Sequence, residues 1–129
     1  MIRFAPLALG LIFTSCNAAP DSRNLAPVQA DSLIRADAGK KTFHLIDIRT
    51  PEEFATGHIK GAKLMDFYAP DFQSRLSTLP RDAKVVLYCR SGNRSGQALS
   101  AMKELGFKDA SHVAGGINAW RSKGLAVEP

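Results

Sequence analysis

The chain has 129 residues, of which 45% are hydrophobic and 22% are charged. This length and composition fit one compact globular domain and exclude disordered, collagen-like and coiled-coil chains. The formal net charge is +5, but the Lys and Arg residues are scattered and form no basic stripe interleaved with aromatic residues. We therefore expect no nucleic-acid partner and attribute the charge to solubility and one local anion site.

Residues 1–19 are predicted to form an export signal. Arg3 supplies a positive charge, Phe4 to Phe13 is almost wholly apolar, and small residues follow, which is the pattern of a secretory signal. The apolar run is well short of the ~20 residues that are needed to span a bilayer. We therefore expect a periplasmic or exported protein.

Two ways of processing this signal remain open. Thr14-Ser15-Cys16 resembles the lipobox of bacterial lipoproteins, with Phe13 where that family usually has Leu; Cys16 would then be lipidated and attach the protein to a membrane. Alternatively, a signal peptidase could cut just after the small residues that follow. Both routes leave Cys89 as the only free thiol of the mature chain, because Cys16 is either lipidated or removed.

Residues 20–26 are polar and flanked by proline, which predicts a short tether before a domain at 27–129. Strand-like and helix-like segments alternate along this domain, which predicts an α/β fold with a mainly parallel central sheet flanked by helices. The strand at 84–88 is apolar on both faces and is expected at the centre of the sheet. The predicted strands are 42–48, 84–88 and a short one near 112–113. The predicted helices are 31–38, 51–56, 71–79, 95–105 and 117–123.

The loop after the central strand carries the strongest signal for chemistry. Cys89 follows that strand directly, and Arg90 to Arg94 lead into a helix. Ligands of α/β proteins bind at the carboxyl ends of strands, and a helix start offers unpaired N–H groups to an anion. Gly92 allows the loop to turn these N–H groups inward. Because a helix start and nearby cations lower the pKa of a thiol, we expect Cys89 to be largely thiolate at neutral pH.

Three motifs resemble the rhodanese family of sulfurtransferases. Residues 89–94, Cys-Arg-Ser-Gly-Asn-Arg, resemble the rhodanese active loop, and residues 45–62 (LIDIRTPEEF, then GHIKGA after two residues) agree with it. Residues 115–120, Gly-Gly-Ile-Asn-Ala-Trp, match the family's ending. The resemblance covers Pro27 to the C-terminus and, with the export signal, is similar to the periplasmic phage-shock type. It implies one rhodanese-like domain that is a thiosulfate sulfurtransferase.

The resemblance also implies roles for individual residues. Cys89 would form a persulfide, with no cofactor and no metal, between a small anionic donor such as thiosulfate and a thiol or cyanide acceptor. Asp47, Arg49 and His58 would hold the loops in place, the first two as an ion pair, and Trp120 would lie in the core. We expect a monomer. The residues expected to cradle the substrate are Arg90, Ser91, Gly92, Asn93, Arg94 and Ser95.

Other cysteine-dependent functions have their own sequence requirements. Phosphatases and arsenate reductases of the same fold have a Cys-x5-Arg loop, which would require Arg at position 95, whereas this chain has Arg94 followed by Ser95. The sequence therefore disfavours them. A thioredoxin-like enzyme is disfavoured because Cys89 has no Cys-x-x-Cys partner. A sulfur carrier without turnover, or a redox-sensing module oxidised at Cys89, remains open.

Overall fold

Five parallel strands form one sheet in the order β1-β5-β4-β2-β3, with helices on both faces. The computed structural model of the protein describes residues 23–129. The predicted export signal, with Cys16, and residues 20–22 lie outside the described residues. In chain order the elements are β1 (Asn24–Leu25), α1 (Pro27–Asp37), β2 (Phe43–Asp47), α2 (Pro51–Ala55), β3 (Lys63–Leu64), α3 (Phe72–Ser77), β4 (Lys84–Tyr88), α4 (Asn93–Glu104), β5 (Asp109–Val113) and α5 (Gly116–Ser122). The predicted α/β fold with a parallel central sheet is confirmed.

The central position of β4 follows from its side chains. Successive residues of a strand point to opposite faces, and Val85 and Leu87 enter one apolar cluster whereas Val86 and Tyr88 enter the other. Each of these four residues is fully buried. A strand that is apolar on both faces is stable only where helices cover both faces of the sheet. This cover is present at the centre of the sheet, where β4 lies between β5 and β2 as predicted.

The two clusters are covered by different helices. On one face, the packing residues of α3 and α4 include Phe72, Leu76 and Met102. On the other face, α1 and α5 contribute Ala30 and Trp120, among others. This arrangement leaves the carboxyl end of β4, where Cys89 follows, between the start of α4 and the start of α5.

The segment predicted as a tether contains part of the sheet. Asn24 and Leu25 pair in parallel with His112 and Val113 of β5, so the ordered domain begins before residue 27. A two-residue edge strand is too short to show an alternating pattern, which is why the sequence did not reveal it. The two-residue β3 was not predicted for the same reason.

Two helices begin at least two residues earlier than predicted. α1 begins at Pro27 instead of Asp31, because proline suits the first helical position and the Gln29 side chain accepts a hydrogen bond from the Ala26 N–H at 3.1 Å. α4 begins at Asn93 instead of Ser95, with Gly92 in the left-handed conformation as its N-cap. Within residues 23–129, no helix is both long and apolar enough to cross a membrane.

Candidate active site

Cys89 lies at the base of the loop between β4 and α4, with only 1% of its surface exposed. Two N–H donors and one hydroxyl surround its Sγ atom: Gly92 N at 3.1 Å, Ser95 N at 3.4 Å and the Ser95 hydroxyl at 3.4 Å, which can donate to a thiolate or accept from a thiol. The loop can close around the sulfur in this way because Gly92 has a φ of 100°, a left-handed conformation that costs glycine little. The loop is thus a nest of N–H groups built around one sulfur atom.

These contacts determine the acidity of the thiol. Burial raises the pKa of Cys89, but hydrogen bonds from the Ser95 side chain and from the N–H groups of Ser95, Gly92 and Ser91 outweigh it and lower the pKa below its ordinary value. A low thiol pKa was predicted from the helix start and from two arginines. The hydrogen bonds include those from N–H groups at the start of α4, as predicted. Of the two arginines, Arg90 has an exposed side chain, whereas the charge of Cys89 contributes to the raised pKa of Arg94. The buried sulfur is therefore stabilised as a thiolate mainly by the loop itself.

Arg94, one of the predicted substrate-binding residues, is held by a carboxylate. Its Nη1 and Nη2 atoms donate to Glu53 Oε1 at 2.8 Å and Oε2 at 2.9 Å, and its guanidinium lies 5.6 Å from the ring centroid of the exposed Tyr68. The pair with Arg94 lowers the pKa of Glu53 to about 2, although burial opposes the shift. Glu53 also closes the N-terminal capping box of α2 with Thr50. The start of α4 is thereby joined to the start of α2.

Asp47 and Arg49 form the ion pair that was predicted. Arg49 Nη2 lies 2.7 Å from Asp47 Oδ2, and both side chains are at most 2% exposed. The guanidinium also donates to the Glu53 carbonyl oxygen at 3.1 Å and to the Gly57 carbonyl oxygen at 2.7 Å. With its partners satisfied, this buried pair fixes the middle of α2 and the residues just after it relative to β2.

His58 makes its contacts with the end of α2 and with the C-terminal segment. Its ring stacks on Phe54 with the centroids 3.9 Å apart, and its Nε2 atom lies 3.7 Å from Glu128 Oε1. The backbone groups of His58 and Glu128 exchange two hydrogen bonds of 2.8 Å. These contacts are those of a residue that holds the C-terminal segment in place.

The Gly115-Gly116 pair seats the start of α5 against the active loop. Ile117 N donates to the Cys89 carbonyl oxygen at 2.9 Å, and Asn118 N donates to the Arg90 carbonyl oxygen at 3.1 Å. Trp120, further along α5, is 2% exposed, as predicted for a core residue. The first turn of α5 therefore fixes the backbone of the residues that precede the nest.

The remaining predicted loop residues lie on the rim. The side chains of Ser91 and Asn93 are exposed, and Asn93 Oδ1 accepts a hydrogen bond from Gln97 at 3.1 Å. Within the described part of the chain, Cys89 is the one free cysteine. No group of three or more His, Cys, Asp or Glu residues there is placed to hold a metal ion.

The sequence profile of the rhodanese-like domain family matches residues 29–123. The chain belongs to the rhodanese family. A sulfurtransferase of Allochromatium vinosum is 37% identical over 100 residues, which cover 78% of this chain and 92% of the relative. The thiosulfate sulfurtransferase GlpE of Pseudomonas aeruginosa is 35% identical over 101 residues, covering 78% of this chain and 84% of GlpE.

Other similar proteins show how far the likeness extends. The probable adenylyltransferase/sulfurtransferase MoeZ of Mycobacterium tuberculosis is 46% identical over 84 residues, and the match spans 21% of MoeZ and 65% of this chain. The rhodanese-related protein of Thermoplasma volcanium has a TM-score of 0.67 and 25% identity, with 82% of this chain and 97% of that chain covered. The family supports sulfur transfer as the chemistry of this rhodanese domain.

One set of site residues in this rhodanese domain was not predicted. Ser95 Oγ lies 2.7 Å from His112 Nδ1, and His112 Nε2 lies 2.5 Å from Asn24 Oδ1. The sequence offered a partial indication of these contacts, because His112 lies on a predicted strand. The carboxyl ends of parallel strands lie at the same edge of a sheet, and His112 pairs with β1 next to β4. Asn24 gave no signal.

Proposed function

We propose that this rhodanese is a thiosulfate sulfurtransferase that carries sulfur as a persulfide on Cys89. One observation carries the proposal: the Cys89 sulfur is surrounded by the N–H groups of Gly92 and Ser95 and by the Ser95 hydroxyl. Such a nest stabilises a thiolate, which is the nucleophilic form of cysteine. The same donors can hold the negative charge of a persulfide.

The reaction has two steps. In the first, the Cys89 thiolate attacks the outer sulfur of thiosulfate. A new S–S bond forms, the S–S bond of thiosulfate breaks, and its electron pair leaves with sulfite. In the second, cyanide or a thiolate attacks the outer sulfur of the persulfide. The Cys89–sulfur bond breaks, thiocyanate or a small persulfide leaves, and the thiolate is regenerated. This is covalent catalysis in two displacements, and no external oxidant or reductant is consumed.

The geometry of the loop favours sulfur transfer over phosphate chemistry. A phosphate group needs donors around three oxygens, and a Cys-x5-Arg loop would supply an arginine at position 95. Here position 95 is a fully buried serine whose hydroxyl faces Cys89. The preceding Arg94 uses two of its nitrogen atoms to bind Glu53. A single sulfane sulfur needs fewer hydrogen-bond donors from the loop than a phosphate group does.

Intact-protein mass spectrometry tests the proposal. After incubation with thiosulfate, the wild-type protein should gain the mass of one sulfur atom, and subsequent cyanide should remove it with release of thiocyanate. The Cys89→Ser variant, which keeps the size of the side chain, should gain no mass and show no turnover. Substantial turnover by Cys89→Ser would overturn the assignment. Stoichiometric loading without turnover would instead identify the alternative, a sulfur carrier that needs a dedicated partner.

We also propose that the protein is exported, on the basis of its first nineteen residues. Cell fractionation of the full chain, followed by intact mass measurement, tests this. Lipidation would appear as a lipid-modified N-terminal Cys16, whereas cleavage by a signal peptidase would give an N-terminus after residue 18 or 19. Retention of the whole chain in the cytoplasm would refute export.

A further inference from the structure

A line of side chains leads from the active-site sulfur to the edge of the sheet. Cys89 Sγ lies 3.4 Å from Ser95 Oγ, Ser95 Oγ lies 2.7 Å from His112 Nδ1, and His112 Nε2 lies 2.5 Å from Asn24 Oδ1. Cys89, Ser95 and His112 are 1%, 0% and 7% exposed. Their hydrogen bonds are therefore largely shielded from water, which strengthens their mutual influence.

We propose that Cys89 and His112 exchange a proton through the Ser95 hydroxyl, so that His112 is a positioning residue that keeps the thiol ionised. Its part in turnover rests on the proposed sulfur transfer, whereas the proton exchange itself is a property of the resting protein. Nothing in the rhodanese resemblance of this chain pointed to position 112.

The polarity of the hydrogen bonds supports this exchange. The carbonyl oxygen of Asn24 can only accept, so the Nε2 atom of His112 carries hydrogen. If the ring is neutral, Nδ1 is an acceptor; the Ser95 hydroxyl then donates to it and can accept from the Cys89 thiol. If the ring is protonated, Nδ1 donates to Ser95, and the hydroxyl is free to donate to the Cys89 thiolate. The neutral His112 ring is therefore compatible with a Cys89 thiol, and the protonated ring with a Cys89 thiolate.

The step between these two states balances. The Sγ–H bond of Cys89 breaks as the proton moves to Ser95 Oγ, and the hydroxyl's own hydrogen moves to His112 Nδ1. One S–H bond and one O–H bond are lost, and one O–H bond and one N–H bond are formed. A neutral pair becomes a thiolate and an imidazolium without a change in total charge. A buried thiolate is thereby compensated by a positive charge behind the loop.

The His112 ring packs beside the active loop and the start of α4. A Cβ atom at Gly92 or Gly96 would lie at ordinary van der Waals distance, 3.8 or 3.9 Å, from His112 Cε1, so the ring lies directly beside the nest and the start of α4. The His112 N–H donates to the Arg23 carbonyl oxygen at 2.8 Å. Of the described residues, Asn24 from β1 and Ser95 from α4, with Cys89 beyond Ser95, contact the two ring nitrogens, and the cation Arg23 adjoins Asn24 in the chain.

One contact competes with the exchange. Ser95 Oγ also lies 3.3 Å from the Gly92 carbonyl oxygen, and a hydroxyl that donates there would accept from His112 without reaching the thiolate. The separation from His112 Nδ1 is the shortest that the hydroxyl makes. Measurements on the thiol and on the His112 ring together distinguish the two arrangements, because a hydroxyl that donates to Gly92 breaks the hydrogen-bonded link between His112 and Cys89.

Alkylation by iodoacetamide measures this dependence without any sulfur donor. In His112→Asn the pH midpoint of alkylation should rise by about one unit or more, since the loss of a nearby positive charge raises the pKa of a thiol. Ser95→Ala should raise the midpoint as well, because it removes both the link to His112 and the direct hydrogen bond to Cys89. The rates should approach that of the wild type at high pH. His44→Asn is the matched control, because His44 is a half-buried histidine on β2, and it should leave the profile unchanged. An unchanged profile in folded His112→Asn would overturn the proposal.

Nitrogen NMR of the His112 ring keeps the test valid if the His112 variant fails to fold. A shared proton makes the coupling reciprocal, so the imidazolium should persist to higher pH in the wild-type protein than in Cys89→Ser. Identical ring titrations in the two proteins would overturn the exchange. If both readouts respond but no donor loads Cys89 with sulfur, the proposed function fails and the exchange stands. If sulfur loads normally and neither readout responds, the exchange alone fails.

Discussion

Gly116 packs directly against the backbone of Arg90. A Cβ atom at position 116 would lie 2.5 Å from the carbonyl carbon and oxygen of Arg90 and 2.5 Å from the Cys89 carbonyl oxygen. Gly116 also has a φ of 63°, where an L-residue is strained. The second glycine of the C-terminal motif is therefore required by the close approach of α5 to the residues that begin the active loop.

This contact makes Gly116→Ala a sensitive test of the loop. We expect it to lower the free energy of unfolding by roughly 2–5 kcal/mol, as the sum of backbone strain and overpacking, and to abolish sulfur loading of Cys89. Gly39→Ala is the matched control, since Gly39 has a φ of 82° and no atom within 4 Å of its Cβ position. It should lose only the ~1–2 kcal/mol of strain and keep its activity. If urea denaturation shows that the two variants lose the same free energy of unfolding, the packing argument is contradicted.

The Glu53–Arg94 pair should make stability depend on pH. The pKa of Glu53 is lowered from 4.5 to about 2, so its contribution is present above pH 4.5 and is lost as the pH falls through about 2. Glu53→Gln should therefore destabilise the protein by about 1 kcal/mol at neutral pH, with the difference from wild type vanishing in strong acid. Urea denaturation across this range measures it.

Glu52→Gln is the control for that prediction. Glu52 and Glu53 both lie in the first turn of α2, so each substitution removes one carboxylate from the same helix start. Only Glu53 contacts Arg94 at the active loop. If the two variants lose the same stability with the same pH dependence, the effect belongs to the helix dipole and the pair contributes nothing.

The exposed Arg90 should affect the binding of the sulfur donor, thiosulfate, more than the acidity of the Cys89 thiol. Because hydrogen bonds within the loop lower the pKa of Cys89, Arg90→Gln should leave the pH midpoint of iodoacetamide alkylation where it is in the wild type. The KM for thiosulfate should rise by up to about fivefold, the equivalent of ~1 kcal/mol for an exposed charge. Lys123→Gln, an exposed cation at the end of α5, should change neither quantity. A clear rise of the alkylation midpoint in Arg90→Gln would instead show that the charge of Arg90 lowers the pKa of Cys89.

The length of the loop should decide which group it binds. Inserting one glycine between Asn93 and Arg94 creates Cys-x5-Arg spacing and moves Ser95, with its two donors, away from Cys89. We expect this variant to lose thiosulfate:cyanide transfer and to gain measurable hydrolysis of an activated aryl phosphate, with circular dichroism to verify folding. The loss follows from the broken nest, whereas the gain also needs an acid for the leaving group. Efficient Cys89-dependent phosphate hydrolysis by the wild type would refute the assignment as a sulfurtransferase.

Local patterns predicted the elements that have a clear period or a clear end signal. The strand at 84–88 was predicted with its observed bounds, because five successive residues between a polar turn and the active loop suit a strand buried on both faces. The start of α2 followed from Thr50 and Pro51. The strand β1 escaped prediction because two residues carry no period, and its partner β5 is distant in the sequence.

The sequence by itself determined the α/β fold, the place of Cys89 after the central strand and the glycine that lets the loop close. Each of these depends on neighbours within a few residues, where backbone preferences and burial leave a readable pattern. Only the tertiary structure joined His112 to Asn24 across 88 positions and Arg94 to Glu53 across 41. Such contacts depend on strand order and on which helix starts meet at one edge of the sheet, and no local pattern encodes that order.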